Sequence, residues 1–205
     1  FPDTKIINNQ HATLSLHVLK DILNNKAKKN IFEKFKIDYV CIFGPNSKKF
    51  FSKFINTKNY ILTGSLKNNH FKDKKTDKKA VIFISQVRFE NNKLRKILTN
   101  SYEKFFYQNI KEFCSDYKKK LYVLSSRRED IIREKNYYDK VFGKGYYTFL
   151  KNLNWASSYK SALKFKFFIT HSSTLGAELM AREKRVAFFH EYEKRLNFSK
   201  KYLKK

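Results

Sequence analysis

Four short, continuously apolar runs constrain this chain most: Ala80–Ser85 (AVIFIS), Leu121–Leu124 (LYVL), Phe165–Thr170 (FKFFIT) and Arg185–Phe189 (RVAFF). Runs of this length that lack polar alternation read as strands buried on both faces. Helical patterns lie between them, near Asn91–Tyr117, Ser157–Leu163 and Ser173–Arg182. The order from residue 80 onward is therefore strand, helix, strand, helix, strand, helix, strand. Such alternation predicts an α/β fold with a Rossmann-like parallel sheet covered by helices. Ligands of open parallel sheets bind beyond the carboxyl ends of the strands. That rule selects Ser85–Arg88, Ser125–Arg128, His171–Thr174 and the loop after Phe189.

The first third carries a weaker version of the same pattern. Leu14–Leu23 has apolar residues at helical spacing. Asp38–Phe43 (DYVCIF) reads as a buried strand stopped by Gly44-Pro45-Asn46, with Asn46 or Ser47 as the cap of a helix over Ser47–Ile55. Asn59–Thr63 (NYILT) is a further short strand ended by Gly64-Ser65. The polar stretch Leu66–Lys79 is the best boundary, which divides the chain into part of one α/β unit, 1–68, and a second unit, 69–205. The chain starts at Phe1 and ends in Lys204-Lys205, so both ends read as cuts in a longer protein.

Net charge is +27, from 45 Lys and Arg against 18 Asp and Glu. A surface of this kind attracts polyanions: nucleic acid, an anionic membrane face or a phosphorylated substrate. The Lys and Asn residues are dispersed along the whole chain, which is also what a biased codon usage produces with no partner implied. Cys41 and Cys114 lack CxxC or zinc spacing and read as reduced, buried thiols. No apolar run approaches the roughly 18 residues of a membrane span.

The sharpest constellation is Ile169-Thr170-His171-Ser172-Ser173-Thr174-Leu175-Gly176-Ala177-Glu178. Here an apolar strand feeds three hydroxyl residues that feed a helix. Amides at a helix start bind anions, and Ser172, Ser173 and Thr174 add donors beside them. Gly176 permits close approach of a ligand or a neighbouring strand. Glu178, one turn on, could accept from ribose hydroxyls; plain helix capping explains the same residues without a ligand. Ser126 and Arg127 follow the second apolar run, and Gln86 and Arg88 follow the first. An Arg at a strand end can pair with phosphate in bidentate fashion. Gln10 and His11 follow a short apolar stretch, and His11 could act as a general base. No HExxH, GxGxxG, P-loop or DxD pattern is present, so no metal is expected. No RNP, KH or zinc-finger signature accompanies the charge, so a nucleic-acid partner is not expected.

Ala80–Arg88 (AVIFISQVR), Lys120–Arg127 (KLYVLSSR) and Thr170–Phe189 (THSSTLGAELMAREKRVAFF) resemble the bacterial surface-carbohydrate biosynthesis transferases, glycosyltransferases of the GT-B type that build capsule and lipopolysaccharide. Gln10-His11-Ala12, Asp38–Gly44 and Thr63-Gly64-Ser65 resemble landmarks at the end of that family's amino-terminal domain, with Ala12 where the family has Gly. The resemblance implies two Rossmann-like domains and a metal-independent transfer with no cofactor beyond the nucleotide-sugar substrate. Ser172, Ser173 and Thr174 would hold the donor phosphate, Glu178 the ribose, and Gln10 and His11 would face the acceptor, a glycan or lipid-linked sugar. Relatives that use cytidine-monophosphate sugars carry His-Pro where this chain has Ser126-Arg127, which leaves the donor open. The resemblance further implies a cytoplasmic protein, peripheral on the inner membrane. Two other readings stand beside it: a polyol-phosphate transferase using a cytidine-diphosphate donor, and a non-catalytic basic protein that binds nucleic acid or a membrane surface.

Overall fold

The structure is a computed structural model that describes residues 5–10, 37–52, 55–87, 102–126, 131–154, 156–171 and 173–189. The chain forms two compact units, Phe1–Lys72 and Asp73–Lys205.

The first unit holds three parallel strands in the order β1 (Ile7–Asn9), β2 (Tyr39–Ile42) and β3 (Tyr60–Leu62). Val40 and Ile42 alternate inward on β2 and bury against Ile55. Asp38 ties the strand starts together. Its carboxylate accepts from the Ile6 amide at 2.8 Å, and its carbonyl accepts from Thr57 Oγ1 and Asn59 Nδ2. Helix α1 (Pro45–Phe51) begins at Pro45, ahead of the Asn46 or Ser47 cap that the sequence predicts. A proline at the first helical position costs no hydrogen bond, and its fixed φ already suits the helix. Helix α2 (Leu66–Asn69) forms inside the stretch expected to be a plain polar bridge, capped by Ser65, whose side chain accepts from the Asn68 amide at 3.3 Å. The helix expected over Leu14–Leu23 lies outside the described residues.

The second unit is built on five parallel strands in the order β6-β5-β4-β7-β8. They are β4 (Asp77–Ile84), β5 (Lys120–Leu124), β6 (Tyr147–Leu150), β7 (Phe165–Thr170) and β8 (Arg185–Phe188), with helices α3 (Tyr102–Asp116), α4 (Ile131–Phe142), α5 (Ser157–Ala162) and α6 (Thr174–Met180). The α/β, Rossmann-like reading thus holds. The last five residues of β4 are all buried, as its unbroken apolar run requires. Phe83 sits at the centre of the core. Its ring meets Phe106, Tyr107 and Tyr138 edge-on, with centroids 5.7–5.8 Å apart. On α3, Phe106, Tyr107, Ile110 and Cys114 recur at helical spacing and form one buried stripe against this sheet.

The sequence pattern did not reveal α4 and β6. Residues 131–150 read as mixed because α4 carries charged residues among its apolar ones and β6 is only four residues long. Gly143 (φ +98°) and Gly145 (φ +83°) supply the left-handed turn between them. The helical pattern predicted from Asn91 is described only from Tyr102. Among the described residues no helix is long and apolar enough to cross a membrane.

Burial pushes the Cys114 thiol up to about 11. Since the thiolate is the reactive species, Cys114 should resist alkylation in the native protein at pH 8, whereas the partly buried Cys41 should react. Peptide mass spectrometry after iodoacetamide treatment, with and without urea, checks this. The same shift makes the folded state lose stability as pH rises from about 8.5, the unfolded thiol value, towards about 11.

Candidate functional site

In the second unit the chain steps from β4 to β5 to β6 in one direction, then returns to place β7 on the other side of β4. Such a reversal leaves a crevice beyond the carboxyl ends of the two strands at the switch, the usual ligand position in open α/β sheets. A cavity of about 310 Å³ lies there. Ser85, Gln86 and Val87 after β4 line it, with Ser125 and Ser126 after β5, Asn152 after β6, and Ser173 and Leu175 around the start of α6. The volume falls at the lower end of the range for small-molecule sites, about 300–1,000 Å³.

Buried pairs of polar side chains hold these lining residues in place. Tyr138, fully enclosed on α4, donates its hydroxyl to Ser85 Oγ at 2.8 Å. Burial holds its phenol well above the ordinary tyrosine range, so it remains a donor. Glu134, one turn earlier on α4 and 1% exposed, accepts from Ser125 Oγ at 2.5 Å, from the Ser126 amide at 3.1 Å and from Ser126 Oγ at 3.3 Å. A buried carboxylate needs such donors, because an unpaired charge in the interior is costly. On the other side of β4, Thr170 Oγ1 lies 3.3 Å from Gln86 Oε1 and accepts from the Ser173 amide at 3.4 Å. Below β6, Ser157 Oγ donates to Asn152 Oδ1 at 2.9 Å.

The structure brings Gln86, Ser126 and Ser173 to one cavity. Thr174, partly buried, opens α6 directly after Ser173, which is the N-cap and makes no side-chain capping bond. Glu178 lies on the same helix. It is 6% exposed, accepts from Tyr159 Oη at 2.7 Å, and is not among the cavity-lining residues. Tyr159 belongs to α5, so Glu178 joins α6 to α5. Gln10, in the first unit, is buried at the end of β1; its Oε1 accepts from the Phe43 amide at 2.9 Å, which fixes the turn after β2. His11, Arg88, Arg127 and Ser172 lie outside the described residues.

Sequence reasoning missed Glu134, Tyr138 and Asn152. All three come from the segments that had no clear pattern, α4 and the end of β6. His171, at the end of β7, packs its ring on Phe106, with centroids 4.7 Å apart, and on Phe83 at 6.1 Å. Among the described residues, no group of three or more His, Cys, Asp or Glu is placed to hold a metal.

A family model described as "putative O-antigen biosynthesis protein" matches residues 18–202. The chain belongs to this family. Membership places it in the synthesis of surface polysaccharide, the coarser half of what the sequence resemblance implies. A search of curated proteins returns no match.

Within this O-antigen biosynthesis chain, Gly176 is explained by packing. A Cβ at that position would stand 2.8 Å from Thr170 Cγ2 and 3.3 Å from the Phe188 ring. Thr170 is short and fixed by its own hydrogen bonds, so it cannot move aside freely. Gly176→Ala should cost about 1–3 kcal/mol, the usual penalty of overpacking, measured as a lower urea midpoint with an unchanged slope.

Proposed function

We propose that this chain is the donor-binding part of a glycosyltransferase acting in surface-polysaccharide synthesis, with a nucleotide sugar seated in the cavity between the ends of β4, β5 and β7. The observation that carries this reading is the position and lining of that cavity, at the switch point of a parallel sheet and rich in hydroxyl and amide side chains. The family match supports the same process.

In this reading Ser172, Ser173 and Thr174 receive the donor phosphate at the turn after β7. Arg88 follows Val87 in sequence and Arg127 follows Ser126, and a guanidinium is a side chain that can pair with phosphate in bidentate fashion. Fixed positive charge there offsets the negative charge that grows on the phosphate as the sugar departs. The acceptor hydroxyl attacks the anomeric carbon and loses its proton to a base, for which His11 is the candidate. The bond from that carbon to the phosphate oxygen breaks, and the nucleotide leaves with the electron pair. Gln10 acts on the acceptor side through the turn that it fixes. Glu178 contributes through Tyr159 rather than by direct contact with ribose. The acceptor is a glycan or lipid-linked sugar, and the charge of +27 suits work at the anionic inner face of a membrane. The reaction requires no metal and no cofactor.

Thermal-shift measurements on the full-length protein test this against uridine-, guanosine-, thymidine- and cytidine-linked sugars, CDP-glycerol, a DNA oligonucleotide and anionic vesicles. A bound donor at a hundredfold excess over its Kd should stabilise the protein by about 2.7 kcal/mol. A shift with CDP-glycerol alone would favour polyol-phosphate transfer. A response to the oligonucleotide or vesicles alone would leave a basic binding protein and remove the transferase reading.

A further inference from the structure

The direction of the hydroxyl hydrogen bonds around the cavity says what kind of chemical group its floor accepts. Ser126 Oγ donates towards Glu134 Oε1, and the Ser126 amide donates to the same carboxylate. With its proton spent behind the wall, Ser126 presents oxygen lone pairs to the cavity. Ser125 spends its hydroxyl proton on the same carboxylate. Ser85 has the opposite arrangement. Its oxygen accepts from Tyr138 and from the Val87 amide, and among the described residues no acceptor takes its own proton. Ser85 is 1% exposed and lines the cavity, so that proton is open to a group seated inside.

The floor therefore offers acceptors on the β5 side, backed by a buried negative charge, and one donor on the β4 side. The diphosphate of a nucleotide sugar carries no proton at neutral pH to give to Ser126, and the Glu134 carboxylate disfavours any phosphate anion beside it. A group carrying O–H or N–H donors meets both requirements. We propose that the Ser85–Ser126 floor binds a neutral, donor-bearing ring, either the nucleoside or the sugar of the ligand, and that Glu134 is the positioning residue that gives it this preference. This rests on the reading of the cavity as the donor site, and it directs the phosphate to the Ser173 side.

Calorimetric titrations of the full-length protein with uridine, cytidine, methyl α-D-glucopyranoside and inorganic phosphate, at fixed ionic strength, test it. In the wild type a neutral probe binds and phosphate does not displace it. A nucleoside response assigns the floor to the base and ribose; a glucoside response assigns it to the transferred sugar. Glu134→Gln removes the charge and turns one acceptor into a donor, so Ser126 must reorient. That variant should lose about tenfold in affinity for the neutral probe and gain affinity for phosphate, an inversion that mere loosening of the fold would not produce. Ser126→Ala, which leaves Glu134 its bond from Ser125, should lose neutral affinity without gaining phosphate, and it covers the case in which Glu134→Gln does not fold. Failure of every neutral probe to bind, ready displacement by phosphate, or unchanged selectivity in both variants would overturn the proposal. Nucleotide sugars that bind with no change in either variant would sink this inference and leave the transferase reading intact. A neutral probe that binds where no nucleotide sugar does would do the reverse.

Discussion

Parallel pairing of β4 with β5 along one edge and β7 along the other sets the rest of the second unit. A strand whose last five residues are all buried can satisfy its backbone only through both neighbours. The sequence must then supply two flanking strands of matching register, and crossovers long enough to bring them in parallel. Once that is done, the end of β4 lies at the switch of strand order. Ser85, the first polar residue after Ile84, still gives its amide to the Leu124 carbonyl of β5 at 3.0 Å and lines the crevice.

The polar groups around that crevice are paired with one another rather than left to solvent: Tyr138 with Ser85, Glu134 with Ser125 and Ser126, Thr170 with Gln86. Each pairing offsets a desolvation cost of about 1–3 kcal/mol that an unmatched buried group would carry. Among the described residues no buried side-chain nitrogen or oxygen lacks a partner. One helix, α4, supplies both Glu134 and Tyr138, which sit one turn apart and reach the ends of β5 and β4 respectively. The cavity wall is thus fixed before any ligand arrives, which lowers the ordering cost of binding.

Much of this was legible in the sequence, and the rest was hidden for identifiable reasons. Continuous apolar runs mark β4, β5, β7 and β8 because a strand buried on both faces tolerates nothing else. The same runs located Gln86, Ser126 and Ser173 by position alone, since carboxyl ends of parallel strands converge. Strand β6 was missed because it lies at the edge of the sheet, where its residues are only partly buried. Glu134 was invisible for a different reason. In a sequence it is one of many charged helix residues, and only the folded chain shows that its carboxylate faces Ser125 and Ser126. The Glu178 bond to Tyr159 was hidden because three or four residues of spacing give a helical face but do not say which neighbour that face meets. Gly176 makes room for the neighbouring strands: Thr170 and Phe188 occupy the space a side chain would need.

The proposed donor site lies at one location, the crevice beyond β4, β5 and β7, in a chain whose family is described as "putative O-antigen biosynthesis protein". Its most direct test is a two-dimensional NMR titration of the isotope-labelled full-length protein with the nucleotide sugar that stabilises it best. The account predicts amide shift changes concentrated at Ser85–Val87, Ser125–Ser126 and Ser173–Leu175. Changes scattered over the lysine-rich surface with those amides unmoved would contradict it.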